Sequence, residues 1–111
     1  MDNIKKTVEH WRSEIDILDS ELLRLLNERA RIVSELGALK VSSGLPVYDG
    51  RRERQVLARL CQSNQGPLDR ESVSAIFRCI IRESRRLEAS RQSTISKSQY
   101  KQSGQEYSHG H

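Results

Sequence analysis

Apolar residues recur along the first third of the chain in steps of three and four: Val8, Trp11, Ile15, Leu18, Leu22, Leu25, Ile32, Leu36 and Leu39. A second row, Ile4, Val8, Ile15, Leu22, Leu26, Val33 and Leu36, widens the same face. This spacing predicts one amphipathic helix over about residues 4–41, with a heptad-like seam. Residues 4–40 hold no proline, and their only glycine is Gly37. At ~1.5 Å per residue the helix is on the order of 55 Å long. A single small globule has no core of that length. The far end of the stripe therefore needs a cover, most simply a second copy of the chain.

Two breaks divide the remainder. Ser42-Ser43-Gly44-Leu45-Pro46 and Asn64-Gln65-Gly66-Pro67 are turn signals. Between them, about residues 50–63, Val56, Leu57 and Leu60 form a short apolar side, and Asp49 is a suitable N-cap before Gly50. The third segment, about 70–89, opens behind Asp69, a second N-cap candidate, with Glu71 favourably placed in the first turn. Its stripe runs Val73, Ile76, Phe77, Ile80, Ile81, then Ser84, Leu87 and Glu88. No stretch alternates as a strand would. The expectation is an all-α chain of one long and two shorter helices, with a second copy as the simplest cover for the long stripe. Residues 1–90 form the helical domain. Residues 91–111 turn to Ser, Gln, Lys and Tyr without apolar periodicity and read as a polar, disordered tail.

Composition sharpens this picture. The 111 residues are 35% hydrophobic and 5% aromatic, lean for a thick self-contained core. The net charge of +4 divides evenly: residues 1–90 carry 16 basic and 14 acidic groups, and the tail supplies the rest. Mixed signs and few aromatics argue against a nucleic-acid partner. No apolar run approaches a membrane span, and no apolar stretch follows the lysines of the N-terminus. The expectation is a cytoplasmic chain whose two cysteines, Cys61 and Cys79, stay reduced. His109 and His111 give at most two ligands, too few for a stable metal site.

The informative positions are charges on apolar faces. Arg29 fills the slot between Leu25 and Ile32 where the stripe calls for an apolar residue. Lys40 follows eleven residues later, about 20° away in angle and about 16 Å along the axis. Two long cations leaning together suit a small anion. Arg12 stands about 25 Å from Arg29 along the same helix, so it can reach such a pocket only from another chain. Ser84 and Glu88 continue the line of Ile80 and Ile81, and Glu88 is costly there unless paired or protonated. Asp49, Arg52 and Glu53 cluster near a helix N-terminus, which favours anions. Each residue also has a plain structural reading: Arg29 as a snorkelling edge residue, Lys40 as a C-terminal helix charge, Arg12 and the Arg51–Arg54 run as solvated, Ser84 as filler, Glu88 as a helix end.

The run from Ile15 to Arg29, IDILDSELLRLLNER, resembles the opening of the all-helical chorismate mutases. Glu35-Leu36-Gly37-Ala38-Leu39-Lys40, Pro46-Val47-Tyr48-Asp49 with Arg52-Glu53-Arg54, Gly66-Pro67-Leu68, and Ile76-Phe77-Arg78 with Ile80-Ile81 and Ser84 continue that resemblance in order, over about residues 4–89. It implies three helices per chain in an intertwined homodimer that rearranges chorismate to prephenate, on the way to phenylalanine and tyrosine. No cofactor or metal is implied. Arg29 resembles the arginine that binds a substrate carboxylate, and Arg12 the arginine contributed by the other chain. Lys40 resembles the lysine at a carboxylate and the breaking ether oxygen. Arg52 and Glu53, with Asp49 close by, match the pair at the substrate's hydroxyl end. Ser84 matches a serine near the ring carboxylate, and Glu88 stands where many members have glutamine and others glutamate.

The resemblance thus assigns catalysis to Lys40, Glu88 and Arg29. Arg12, Asp49, Arg52, Glu53 and Ser84 join them in binding. The concerted rearrangement is helped by holding the enolpyruvyl arm over the ring and by placing donors at the ether oxygen, where negative charge grows. Glu88 donates only when protonated. Two alternatives remain: a lyase that splits isochorismate into salicylate and pyruvate on the same fold, and a non-catalytic helical dimer that binds a metabolite or regulates a partner enzyme. Relatives are often fused to other aromatic-pathway enzymes, so a fused or separate partner enzyme is also expected.

Overall fold

The computed structural model describes the backbone of residues 2–100 and the side chains of residues 2–90. Three helices follow one another: α1 (Asp2–Ser42), α2 (Gly50–Ser63) and α3 (Arg70–Tyr100). No strand occurs among the described residues. None of the helices is long and apolar enough to cross a membrane. The first two helices begin and end within two residues of the bounds that periodicity predicts. The third runs on to Tyr100, past the end of its apolar stripe, with no proline or glycine before that point to stop the backbone. Residues 101–111, with His109 and His111, lie outside the described residues, as do the side chains of 91–100.

Local chemistry sets each boundary. α1 ends in a Schellman motif: the Leu45 amide donates to the Lys40 carbonyl at 2.8 Å and the Gly44 amide to the Val41 carbonyl at 3.2 Å. Gly44 takes φ +72°, the left-handed conformation this cap requires. α2 opens on Asp49 in extended backbone, whose carboxylate accepts from the Arg52 amide at 3.1 Å. The link to α3 is held by Asn64, which accepts from the Gly66 amide at 3.1 Å and donates to the Leu68 carbonyl at 2.6 Å. α3 opens on Asp69, which accepts from the Ser72 amide at 2.7 Å. Those bonds to Ser72 hold the Asp69 carboxyl below its usual range.

The chain forms two compact units, and α1 contributes to both. The first unit, residues up to Arg31, is a single helix. Its stripe is exposed: Ile4, Trp11, Ile15, Leu18, Leu22 and Leu25 each keep half or more of their surface. Burying a side chain of that size contributes on the order of 2 kcal/mol, so this face carries a large unused driving force. Within the unit, Arg12 pairs with Glu9 at 3.0 Å, and Arg24 with Glu21 at 3.3 Å and Glu28 at 3.7 Å. Such exposed pairs one turn apart each add only a few tenths of a kcal/mol.

The second unit starts at Ile32. α2 and α3 pack on each other around Val56, Val73 and Ile81, each less than a tenth exposed. The Cys61 sulfur lies 3.4 Å from the Ser74 hydroxyl across this contact. Gly37 of α1 and Ser84 of α3 are also buried. The core is small, but it gathers on one side the last turns of α1, the start of α2 and the middle of α3.

Candidate functional site

Gly37 explains how a carboxyl enters this unit. A Cβ at position 37 would stand 3.2 Å from Glu88 Cγ and 3.3 Å from Glu88 Oε2. The missing methyl leaves a notch on α1, and the Glu88 side chain of α3 occupies it. Glu88 is half-buried there. Burial pushes its carboxyl above the ordinary range, Lys40 opposes the rise, Glu53 adds to it and Arg85 opposes it. The charged groups acting on Glu88 thus come from α1, α2 and α3.

Lys40 sits one residue short of a full turn beyond Gly37, half-buried. Its ammonium donates to the Val47 carbonyl at 3.1 Å, which draws the 43–49 loop back over the end of α1. The loop then delivers Tyr48 and Asp49 to the start of α2. Asp49 uses its carboxylate to cap the helix, and the Arg52 side chain is exposed.

Glu53 lies on the first turn of α2 and is bound from α3. Arg85 donates through Nε to Oε2 at 3.1 Å and through Nη2 to Oε1 at 2.5 Å, a bidentate fork. The Arg85 guanidinium also lies over the Tyr48 ring, 4.6 Å from its centroid. An open groove of about 360 Å³ runs between α2 and α3 here, and Tyr48, Glu53, Arg54, Arg78, Arg82 and Arg85 are among its lining residues. Four guanidiniums against one carboxylate make it a place for negative charge.

Of the residues singled out by sequence, the second unit brings Lys40 and Glu53 within electrostatic reach of Glu88, with Ser84 buried one turn before Glu88. Asp49 and Arg52 stand at the α2 entrance, occupied with capping and with solvent respectively. Arg12 and Arg29 belong to the first unit: Arg12 is exposed and paired with Glu9, and Arg29 is half-buried. No group of three or more metal-ligating side chains occurs among the described residues.

Sequence reasoning passed over three contributors. Gly37 carried a signal, being the one glycine in a long helical run, where such a residue commonly marks close packing. Arg85 sits among Arg82, Glu83 and Arg86 and reads as one more solvated charge. Tyr48 sits in a loop, where periodicity has nothing to report.

The sequence profile of the family described as chorismate mutase type II matches residues 11–89. The solved structure of chorismate mutase (form II) from Thermus thermophilus is similar at a TM-score of 0.73 and 41% identity, covering 74% of this chain and 93% of that one. The bifunctional chorismate mutase/prephenate dehydratase of Neisseria gonorrhoeae is 46% identical over 72 residues, 65% of this chain and 19% of that protein. Its counterpart from Aquifex aeolicus is 38% identical over 74 residues, 63% of this chain and 20% of that protein. The chain therefore spans about a fifth of the length of these curated relatives.

Proposed function

Because the chain belongs to the chorismate mutase type II family, we propose that it rearranges chorismate to prephenate in aromatic amino-acid biosynthesis. The observation that carries this reading is the Glu88 carboxyl, seated in the Gly37 notch, held protonation-prone by burial and acted on by Lys40. A proton donor and an ammonium near each other suit one task well: stabilising negative charge that grows on an ether oxygen as its bond to carbon breaks.

In this reading the substrate is a dianion and the cations are its clamps. Arg29 and Lys40 take the carboxylate of the enolpyruvyl arm, with Arg12 supplied by a second copy of the chain. Ser84 serves the ring carboxylate. Arg52 and Glu53 face the ring hydroxyl, with Asp49 setting the start of their helix. Fixing the arm over the ring replaces a conformational search with one reactive geometry. Lys40 and protonated Glu88 donate to the ether oxygen, while the new carbon–carbon bond forms within the same molecule.

The exposed stripe of residues 2–31 supports the homodimer in this proposal, since a second copy offers the same stripe as its cover. The names of the bifunctional relatives pair the mutase with a prephenate dehydratase, an activity that consumes the proposed product. An enzyme of that class, fused or separate, is the expected metabolic partner.

The test is direct. Purified protein is mixed with chorismate, the loss of its ultraviolet absorbance is followed, and prephenate is identified as product. No loss above the uncatalysed rate at substrate saturation sinks the proposal. Pyruvate release from isochorismate, without chorismate turnover, would assign the lyase chemistry instead.

A further inference from the structure

The ion pairs Arg12–Glu9, Arg24–Glu21 and Arg86–Glu83 join residues one turn apart on exposed helix faces. Arg85–Glu53 is built differently. It joins α3 to α2 across 32 residues of chain, uses both carboxylate oxygens, and has the guanidinium laid on the Tyr48 ring. Three elements thus meet at this ion pair, whose Glu53 side chain is only 24% exposed. A forked donor fixes the plane of a carboxylate in a way a point charge does not. Each oxygen has a second lone pair, so Glu53 can still accept from a hydroxyl while Arg85 holds it.

We propose that Arg85 is a positioning residue, whose fork, steadied by Tyr48, sets the Glu53 carboxylate in the orientation that receives the substrate's hydroxyl. The inference rests on the mutase reading above. Arg85 touches no reacting atom; it acts through Glu53. It has a second effect on the same site. Lys40 from α1, Glu53 from α2 and Arg85 from α3 are the charged groups that act on Glu88, and Arg85 favours its ionised form. Loss of Arg85 leaves Glu53 free to rotate and removes a cation that offsets its charge at Glu88.

The Arg85 side chain is 45% exposed, but a bidentate fork contributes more to folding than an ordinary surface pair, so stability is measured alongside rate. The experiment measures kcat/KM for chorismate across pH for the parent and for Arg85→Ala, Arg85→Lys and Arg86→Ala. It repeats Arg85→Ala in a Glu53→Ala background. Circular dichroism checks folding in each case, and Arg85→Lys carries the test should the alanine variant fail to fold.

Arg85→Ala is expected to lower kcat/KM by about tenfold and to move the alkaline limb of its pH profile upward. Arg85→Lys keeps the charge but loses the fork, so it keeps the limb and still loses rate. Arg86→Ala, the neighbouring arginine paired with Glu83 on an exposed face outside the groove, leaves both unchanged. In the Glu53→Ala background Arg85→Ala lowers the rate below the alkaline limb no further, as expected of residues acting as one unit on substrate, while the shift of the limb itself remains. An active parent whose Arg85→Ala variant keeps full kcat/KM, or loses as much rate without Glu53 as with it, overturns this inference alone. A parent that leaves chorismate untouched overturns the mutase reading and this inference with it.

Discussion

Residues 2–31 and residues 32–90 differ in what their apolar side chains build. The first region displays a continuous row of large ones, from Ile4 to Leu26, at two-fifths exposure or more. The second continues that exposed row through Ile32, Leu36 and Leu39, but it also closes a core from Val56, Val73 and Ile81 and seats polar groups beside it. α1 runs through both regions, so helix formation is not what separates them. What differs is the company a face keeps. The start of the chain presents one long exposed apolar row, and the rest has a notch, a loop and two helices that bring charges together. A face of the first kind suits assembly, and a pocket of the second kind suits chemistry.

The sharpest attempt to break this comparison puts a charge on the exposed stripe. Leu18→Asp with Leu22→Asp is expected to leave the protein monomeric in sedimentation and to lower chorismate turnover more than about 10³-fold. The cause is an unpaired charge on the covered face and loss of the second copy's arginine. Full activity as a monomer would remove any functional role for the stripe.

Next comes Lys40→Ala, aimed at the second region. It is expected to cost about 10²–10³ in kcat, with dimerisation unchanged, because one donor to the ether oxygen is gone. The two regions are then tested together. Mixing Arg12→Ala chains with Lys40→Ala chains is expected to restore roughly a quarter of parent activity, since half of the random pairs are mixed and each mixed pair holds one intact site. No recovery from confirmed mixed dimers would confine the site to one chain.

Glu88 yields a pH prediction. Its carboxyl is raised by burial, so the neutral form persists above the ordinary carboxylate range. Activity is expected to fall about tenfold per pH unit beyond the raised value, and Glu88→Gln is expected to flatten that decline. Stability follows the same sign. The contribution from the neutral group is full below the ordinary carboxylate pKa and is lost as pH rises through the raised one. Chemical denaturation at several pH values reads this directly.

The smallest effect belongs to Gly37→Ala. Alanine favours the helix by about 0.5–1 kcal/mol. Its methyl also presses on Glu88 Cγ at 3.2 Å, and the side chain must give by a few tenths of an ångström. Melting temperature is expected to hold or rise while kcat falls about three- to tenfold. Unchanged kcat would show that the notch serves packing only.

Much of this protein is legible along the chain. Periodicity placed the helices, and Asp49 and Asp69 announced two of their starts, because a cap is a matter of a few neighbouring atoms. Lys40, Ser84 and Glu88 stood out as polar groups on or beside apolar rows, and Glu53 as one of a charged cluster near a helix N-terminus. The Arg85 fork and the Gly37 notch did not, although both residues were in plain view. Arg85 shares its charge with the arginines around it, and only the approach of α2 distinguishes it from them.

The amino-acid order alone therefore determined the all-helical character of the chain, its capped helix starts and the long uncovered stripe, since hydrogen bonds and sterics within a few turns settle these. Tertiary structure decided which carboxylate meets which cation, Glu53 with Arg85 and Glu88 beside Lys40, because such meetings depend on the packing of segments far apart in sequence.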